Sequence, residues 1–297
     1  MPLVSAPTSL SDPALQDLVG LMQHAAVISA AQMSKTLTDP NNVKVWRKPD
    51  QSLLLNIDLE SQETLRKILG DVLPILSEED PSTHELIGQE SDYFVLDPLD
   101  GTTSCKRFTD IQGGQLGFGP LVGLVIGGMV KAAVFYHLPR RALFTATRGG
   151  GASICQLESF NAREIDPTPL RVRPPERIED SAILFYPGSK GELRLIEYLR
   201  SRDLVENAYR FGGFANDCAR LASGYEQLQV QFSVKAWDFP ATLFPAEAGL
   251  SVIVDPLGAA TPSHLWKLQS ENPILTAPPG MIEAFLTHLK EALKANA

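Results

Sequence analysis

Two rhythms of apolar residues run through the chain. From Asp12-Pro13 onward, Leu15, Leu18, Val19, Met22 and Ala26 recur at three- and four-residue spacing, which predicts a helix with one buried face. A second helix is predicted over residues 59–69. Short apolar runs without that spacing read as strands, at 74–76, 93–96, 121–126, 130–136 and 142–147. Gly127-Gly128 lies between two of these runs and predicts a hairpin. Gly149-Gly150-Gly151 lacks the Gly-Lys-Ser/Thr ending of a P-loop and reads as a tight turn.

Beyond residue 155 the rhythm changes to strand, helix, strand, helix. A strand is predicted at 182–186, helices at 192–200 and 214–223, and an alternating strand at 228–232. An Ala-rich run at 241–248 follows, and an amphipathic helix spans 281–295. The change divides the chain into an N-terminal α+β half, 1–155, and a C-terminal α/β half, 156–297.

Composition narrows the function classes. At 297 residues with 44% hydrophobic content, the chain can bury a full core as one large domain or two ordinary ones. A net charge of −9 argues against a general nucleic-acid surface, which needs a basic patch. No apolar run reaches about eighteen residues, so no membrane span is expected. Residues 1–11 lack the basic and apolar segments of a secretory signal, and a cytoplasmic location is the expectation. Cys105, Cys155 and Cys218 have no Cys-x-x-Cys spacing and read as free thiols. Cys105 lies just past the Asp100-Gly101 turn, where oxidation could block a site.

That turn is where the candidate chemistry concentrates. Asp97-Pro98-Leu99-Asp100-Gly101-Thr102-Thr103 follows the apolar run Tyr93-Phe94-Val95-Leu96. A turn here can aim two carboxylates at one hard cation, whose ligands are carboxylate, carbonyl and water oxygens. Gly101, Thr102 and Thr103 then offer backbone N–H groups to an anion if a helix starts at that point. The competing reading is an ordinary solvated turn, since Asp-Pro and Asp-Gly are common turn formers. Ser77-Glu78-Glu79-Asp80 gives a second acidic strand end, with a solvated turn as its alternative. Asp238, two residues before Pro240, suggests a helix start and can be read simply as its N-cap. Asp58 has the same alternative.

Taken in order, Ser-Glu-Glu-Asp, Asp-Pro-Leu-Asp-Gly-Thr-Thr and Trp237-Asp238 before Glu247-Ala248-Gly249 resemble the inositol monophosphatase superfamily. The resemblance implies an α+β fold, a layered αβαβα sandwich of the inositol monophosphatase and fructose-1,6-bisphosphatase type. It implies Mg2+-dependent, lithium-sensitive hydrolysis of a phosphate monoester on a small metabolite. By position, Glu78, Asp97, Asp100 and Asp238 match the metal-ligating carboxylates, and Leu99 the residue that lends its backbone carbonyl. Asp58 and Thr102 match the pair that helps activate the attacking water. Gly101, Thr102 and Thr103 match phosphate-binding positions, and a homodimer is a family expectation.

The wording around Glu78 and Asp97 is similar to the bisphosphate nucleotidases, which act on adenosine 3',5'-bisphosphate. Lys106-Arg107 would supply cations for a second phosphate, with Lys106 the chosen residue and a solvated basic turn the alternative. Gln231 stands where inositol monophosphatases often place a sugar-binding glutamate, which keeps inositol monophosphate as the competing substrate. Leu55, Ser104-Cys105 and Leu250 depart from the family pattern without touching a matched ligand. A non-catalytic sensing or scaffold protein of the same fold is the alternative of another class. The expected partners are a phosphorylated metabolite, with neither a nucleic-acid polymer nor a membrane.

Overall fold

The computed structural model describes residues 13–111, 116–160, 166–185, 190–209, 211–256, 261–262 and 271–294. In chain order the elements are α1 (Pro13–Thr36), β1 (Val45–Arg47), β2 (Leu53–Leu55), α2 (Asn56–Leu69), β3 (Ile75–Ser77), β4 (Tyr93–Asp100) and α3 (Thr102–Ile111). There follow β5 (Gly119–Ile126), β6 (Met129–His137), β7 (Ala142–Thr147), β8 (Gly151–Gln156) and β9 (Thr168–Leu170). The remainder comprises β10 (Ala182–Phe185), α4 (Lys190–Arg200), β11 (Asn207–Tyr209), α5 (Phe214–Ala222), β12 (Leu228–Lys235), α6 (Leu243–Glu247), β13 (Ser251–Val254), β14 (Thr261–Pro262), β15 (Glu271–Ala277) and α7 (Ile282–Lys294).

Two large sheets carry the fold. Strands β3 to β9 lie side by side in sequence order, with only the β3–β4 pair parallel. The second sheet has the order β11-β10-β12-β15-β13-β14. Strand β4 is buried on both faces, which is why its sequence reads as a continuous apolar run. Phe94 and Leu96 face a core shared with α1 and α2, while Tyr93 and Val95 face one shared with α5 and α6. The far face of the second sheet buries Ile183, Leu228 and Val230 against α4 and α7. The layers therefore run helix, sheet, helix, sheet, helix, as the resemblance implied. Among the described residues no helix is long and apolar enough to cross a membrane.

Most predicted elements are present, and the departures have local causes. Helix α2 opens at Asn56 rather than 59, because Leu55 N–H is taken by Asp58 Oδ2 at 2.7 Å and the first turn closes early. Strand β4 continues through Asp97–Asp100, where a turn was expected, with an irregular register between those two residues. The Ala-rich run splits into a 3-10 turn, Phe239–Thr242, and the short α6. Tyr186 and Ala295, predicted element ends, lie outside the described residues.

Candidate active site

The irregular end of β4 is fixed from below by a buried hydroxyl chain. Ser29 Oγ lies 2.7 Å from Ser61 Oγ, which donates to the Pro98 carbonyl at 2.6 Å. Asp97 Oδ1 accepts from Leu99 N–H at 3.0 Å, a local loop that sets its carboxylate direction. Gly101 then turns the chain into α3 with φ +83°, and a Cβ there would lie 2.8 Å from the Gly117 carbonyl. Helix α3 begins at Thr102, directly beyond Asp100.

Asp100 reaches across to the second half of the chain. Its Oδ2 accepts from Asn216 N–H at 3.3 Å, at the first turn of α5. Gly213 makes this approach possible, since a Cβ there would stand 2.6 Å from Asp100 Oδ2. Burial raises the Asp100 carboxyl, and the N–H groups of Phe214, Ala215 and Asn216 pull it back, to about 6. A helix N-terminus favours negative charge, which explains that direction.

Asp238 comes from the loop after β12. It stands at the N-cap position of the 3-10 turn but makes no side-chain cap; its Oδ2 accepts from Lys235 N–H at 3.3 Å. The cap reading is therefore corrected, because the carboxylate turns away from the helix end. Asp97, Asp100 and Asp238 each place a carboxylate oxygen within 4.8 Å of the others. Burial, then neighbouring carboxylates, hold the Asp97 and Asp238 carboxyls well above the ordinary range.

Packed like charges with an all-oxygen donor set fit a hard divalent cation, which would relieve both the burial and the repulsion. Glu78 lines the same cleft but stands outside this group of three. Its Oε1 is 2.8 Å from Lys48 Nζ, which also lies 2.6 Å from Glu79. Burial lowers the Lys48 ammonium, yet Glu78 and Glu79 outweigh it and leave the group above its ordinary value. Asp80 faces elsewhere and accepts from Ser82 N–H at 3.1 Å.

Asp58 and Thr102 meet. Thr102 Oγ1 is 3.1 Å from Asp58 Oδ1 and 3.2 Å from the Leu99 carbonyl oxygen. Asp58 is buried, and that burial, opposed by Leu55 N–H and aided by Glu79 and Glu78, pushes its carboxyl up to about 8. Thus Asp58 braces the first turn of α2 and pairs with Thr102 at once.

Glu78, Asp97, Leu99, Asp100, Thr102 and Asp238 line one cleft of about 640 Å³, together with Gly101, Thr103 and Gln231; Asp58, bonded to Thr102, is not among the lining residues. Lys106 is not among the lining residues; its ammonium pairs with Asp110, and Arg107 faces the cleft instead. Helical phase explains the exchange, because residues four apart share a face: Thr103 goes with Arg107, and Lys106 with Asp110. Sequence reasoning also missed Asp217, a buried cleft carboxyl raised by burial, Asp100 and Glu226. Its signal was a carboxylate on the apolar face of α5, three residues from Phe214 and four from Leu221. Arg47, on the exposed strand β1, and Lys48, just beyond its end, were missed too, since so short an exposed strand gives no periodic cue. Cys105 is fully buried and burial pushes its thiol up, which overturns the expectation of a vulnerable thiol. Among the described residues all three cysteines are free.

Known proteins resemble this chain over nearly its whole length. The inositol monophosphatase family matches residues 16–290. Nus factor SuhB of Escherichia coli strain K12 is 26% identical over 287 residues, covering 94% of this chain and 98% of that protein. The structure of extragenic suppressor protein suhB from Bartonella henselae superposes with a TM-score of 0.72 at 23% identity, over 92% of this chain and 98% of that one. An IMPase/NADP phosphatase complexed with Mg2+ and phosphate gives 0.73 at 19% identity, over 93% and 95%. The chain belongs to the inositol monophosphatase family, and so to the metal-dependent phosphoric monoester hydrolases that use Mg2+.

Proposed function

We propose that the cleft hydrolyses a phosphate monoester on a small metabolite, with adenosine 3',5'-bisphosphate or a related bisphosphate as substrate. The observation that carries the reading is the convergence of Asp97, Asp100 and Asp238 beside the start of α3. A cleft of about 640 Å³ suits a nucleotide-sized ligand, since small-molecule sites run to roughly 300–1,000 Å³.

Asp97, Asp100, Asp238, Glu78 and the Leu99 carbonyl would hold Mg2+. When bound, Mg2+ supplies positive charge against the phosphate and lowers the pKa of water. The N–H groups of Gly101, Thr102 and Thr103 would hold phosphate oxygens as charge develops there. Thr102 Oγ1 donates toward Asp58 Oδ1, so its lone pairs can accept from the attacking water and pass the proton inward. Asp58, whose burial holds its carboxyl above the ordinary range, would take that proton through Thr102. The N-terminal half, 1–155, would thus contribute most of the chemistry, and 156–297 would contribute Asp238 and Gln231.

The test is phosphate release with Mg2+, with and without Li+, from adenosine 3',5'-bisphosphate, inositol 1-phosphate, fructose 1,6-bisphosphate and histidinol phosphate. Turnover led by the adenosine compound, inhibited by Li+, is the expected result. Preference for inositol 1-phosphate would replace the substrate and leave the reaction. The relatives' name, Nus factor, brings forward a second reading, a non-catalytic scaffold of this fold. Silence across the panel in protein that binds Mg2+ would favour it.

A further inference from the structure

We infer that Arg107 is the residue that selects substrates carrying a second anionic group, and that it, rather than Lys106, forms an outer phosphate subsite of the cleft. The inference rests on the phosphatase reading and deepens it.

Three observations converge. Arg107 lines the cleft and lies on the α3 face of Thr103, whose N–H is assigned to the reacting phosphate. Four residues of helix rise about 6 Å. The outer subsite therefore stands one short sugar-sized step from the inner one. Next, the guanidinium has no hydrogen-bond or ion-pair partner among the described residues, whereas Lys106 is held by Asp110. Its donors remain available in a fork that matches phosphate oxygens two at a time. Finally, the cleft walls carry Asp50, Glu78, Asp97, Asp100, Asp217 and Asp238. Arg107 shares the cleft lining with these carboxylates and is bonded to none of them among the described residues, so it offers positive charge to a second anion that they would repel. Arg47, another lining residue, donates to the Gln51 carbonyl at 2.8 Å and adds a further cation to the wall.

The experiment compares binding of adenosine 3',5'-bisphosphate and adenosine 5'-monophosphate, by calorimetry in Ca2+ to limit turnover. Wild type, Arg107→Met, Arg107→Lys and Lys106→Met are measured. Wild type should bind the bisphosphate at least about tenfold more tightly, in keeping with two charge-assisted bonds. Arg107→Met should erase that advantage while leaving monophosphate affinity within about twofold, and Lys106→Met should preserve it. Arg107→Lys should restore part of it, because charge remains and the fork is lost. No advantage in wild type, or an advantage that survives Arg107→Met or disappears with Lys106→Met, overturns the inference. Phosphate release from the panel above is scored separately. A chain that hydrolyses inositol 1-phosphate but binds both adenosine compounds equally keeps the phosphatase reading and loses the subsite. One that hydrolyses nothing yet shows the Arg107-dependent ratio does the reverse.

Discussion

Gly101–Thr103 and Gly149–Gly151 are both glycine-bearing turns that present backbone N–H groups, and the chain treats them differently. At the second turn, Glu247 fills the cradle: Gly149 N–H donates to its Oε1 at 2.9 Å and Gly151 N–H to its Oε2 at 3.1 Å. At the first, no carboxylate of the described residues accepts from the N–H groups, and the turn opens into the acidic cleft. A cradle supplied with its own anion is a structural joint, here tying α6 to the β7–β8 turn. One left open beside clustered carboxylates is where the proposed function would place a cation and a phosphate. The glycines alone did not distinguish the two. The origin of the anion did.

Removing a carboxylate from the open turn should have the largest effect. Asp100→Asn keeps the shape of the side chain and its contact with α5 while removing a charged donor. It should lower Mg2+-dependent kcat by about a thousandfold or more, the scale of losing several kcal/mol of metal-assisted stabilisation. A Tm equal to or above wild type in EDTA would show that the loss is chemical. Retention of more than a tenth of the activity would contradict the metal assignment.

Stability against pH sharpens the same contrast. Asp58 and Asp100 move from an ordinary 3.8 to about 8 and about 6 in the folded chain. The native state therefore binds protons that the unfolded chain has shed, and metal-free stability falls as pH rises between 3.8 and about 8. At about 1.4 kcal/mol for each pH unit between the two values, the combined loss should be on the order of 9 kcal/mol at most. In EDTA, Tm should be lower at pH 8 than at pH 5, and Mg2+ should raise it more at pH 8. An EDTA melting profile that climbs over this interval would refute the electrostatic account.

Emptying the filled cradle should matter least. Glu247→Ala removes two charge-assisted bonds at a partly exposed turn, which should cost about 1–2 kcal/mol and a few degrees of Tm. Thermal melting and phosphate release should show lower stability with kcat within about twofold of wild type. A loss of activity as large as that of Asp100→Asn would mean that the second turn belongs to the site.

Much of the fold is written in local rhythm. The three-four spacing of Leu15, Met22 and Ala26 specifies α1, and paired glycines between two apolar runs specify the β5–β6 hairpin, because both patterns act over a few residues. The apolar run Tyr93–Leu96 likewise specified a strand, which the structure buries on both faces. The sequential order of the acidic motifs pointed to the family, and so to Asp58, Thr102 and the carboxylates as a set.

Distance belonged to the tertiary structure. Asp238 became a neighbour of Asp97 rather than a helix cap because the two sheets bring separate loops to one cleft. Helical phase and pairing with Asp110 turned Lys106 away and put Arg107 in its place. Glu247 reached the Gly149–Gly151 turn from nearly a hundred residues away. Sequence fixes what each short segment prefers, through backbone sterics and burial, but charge interactions depend on separation in space, and folding alone sets that separation.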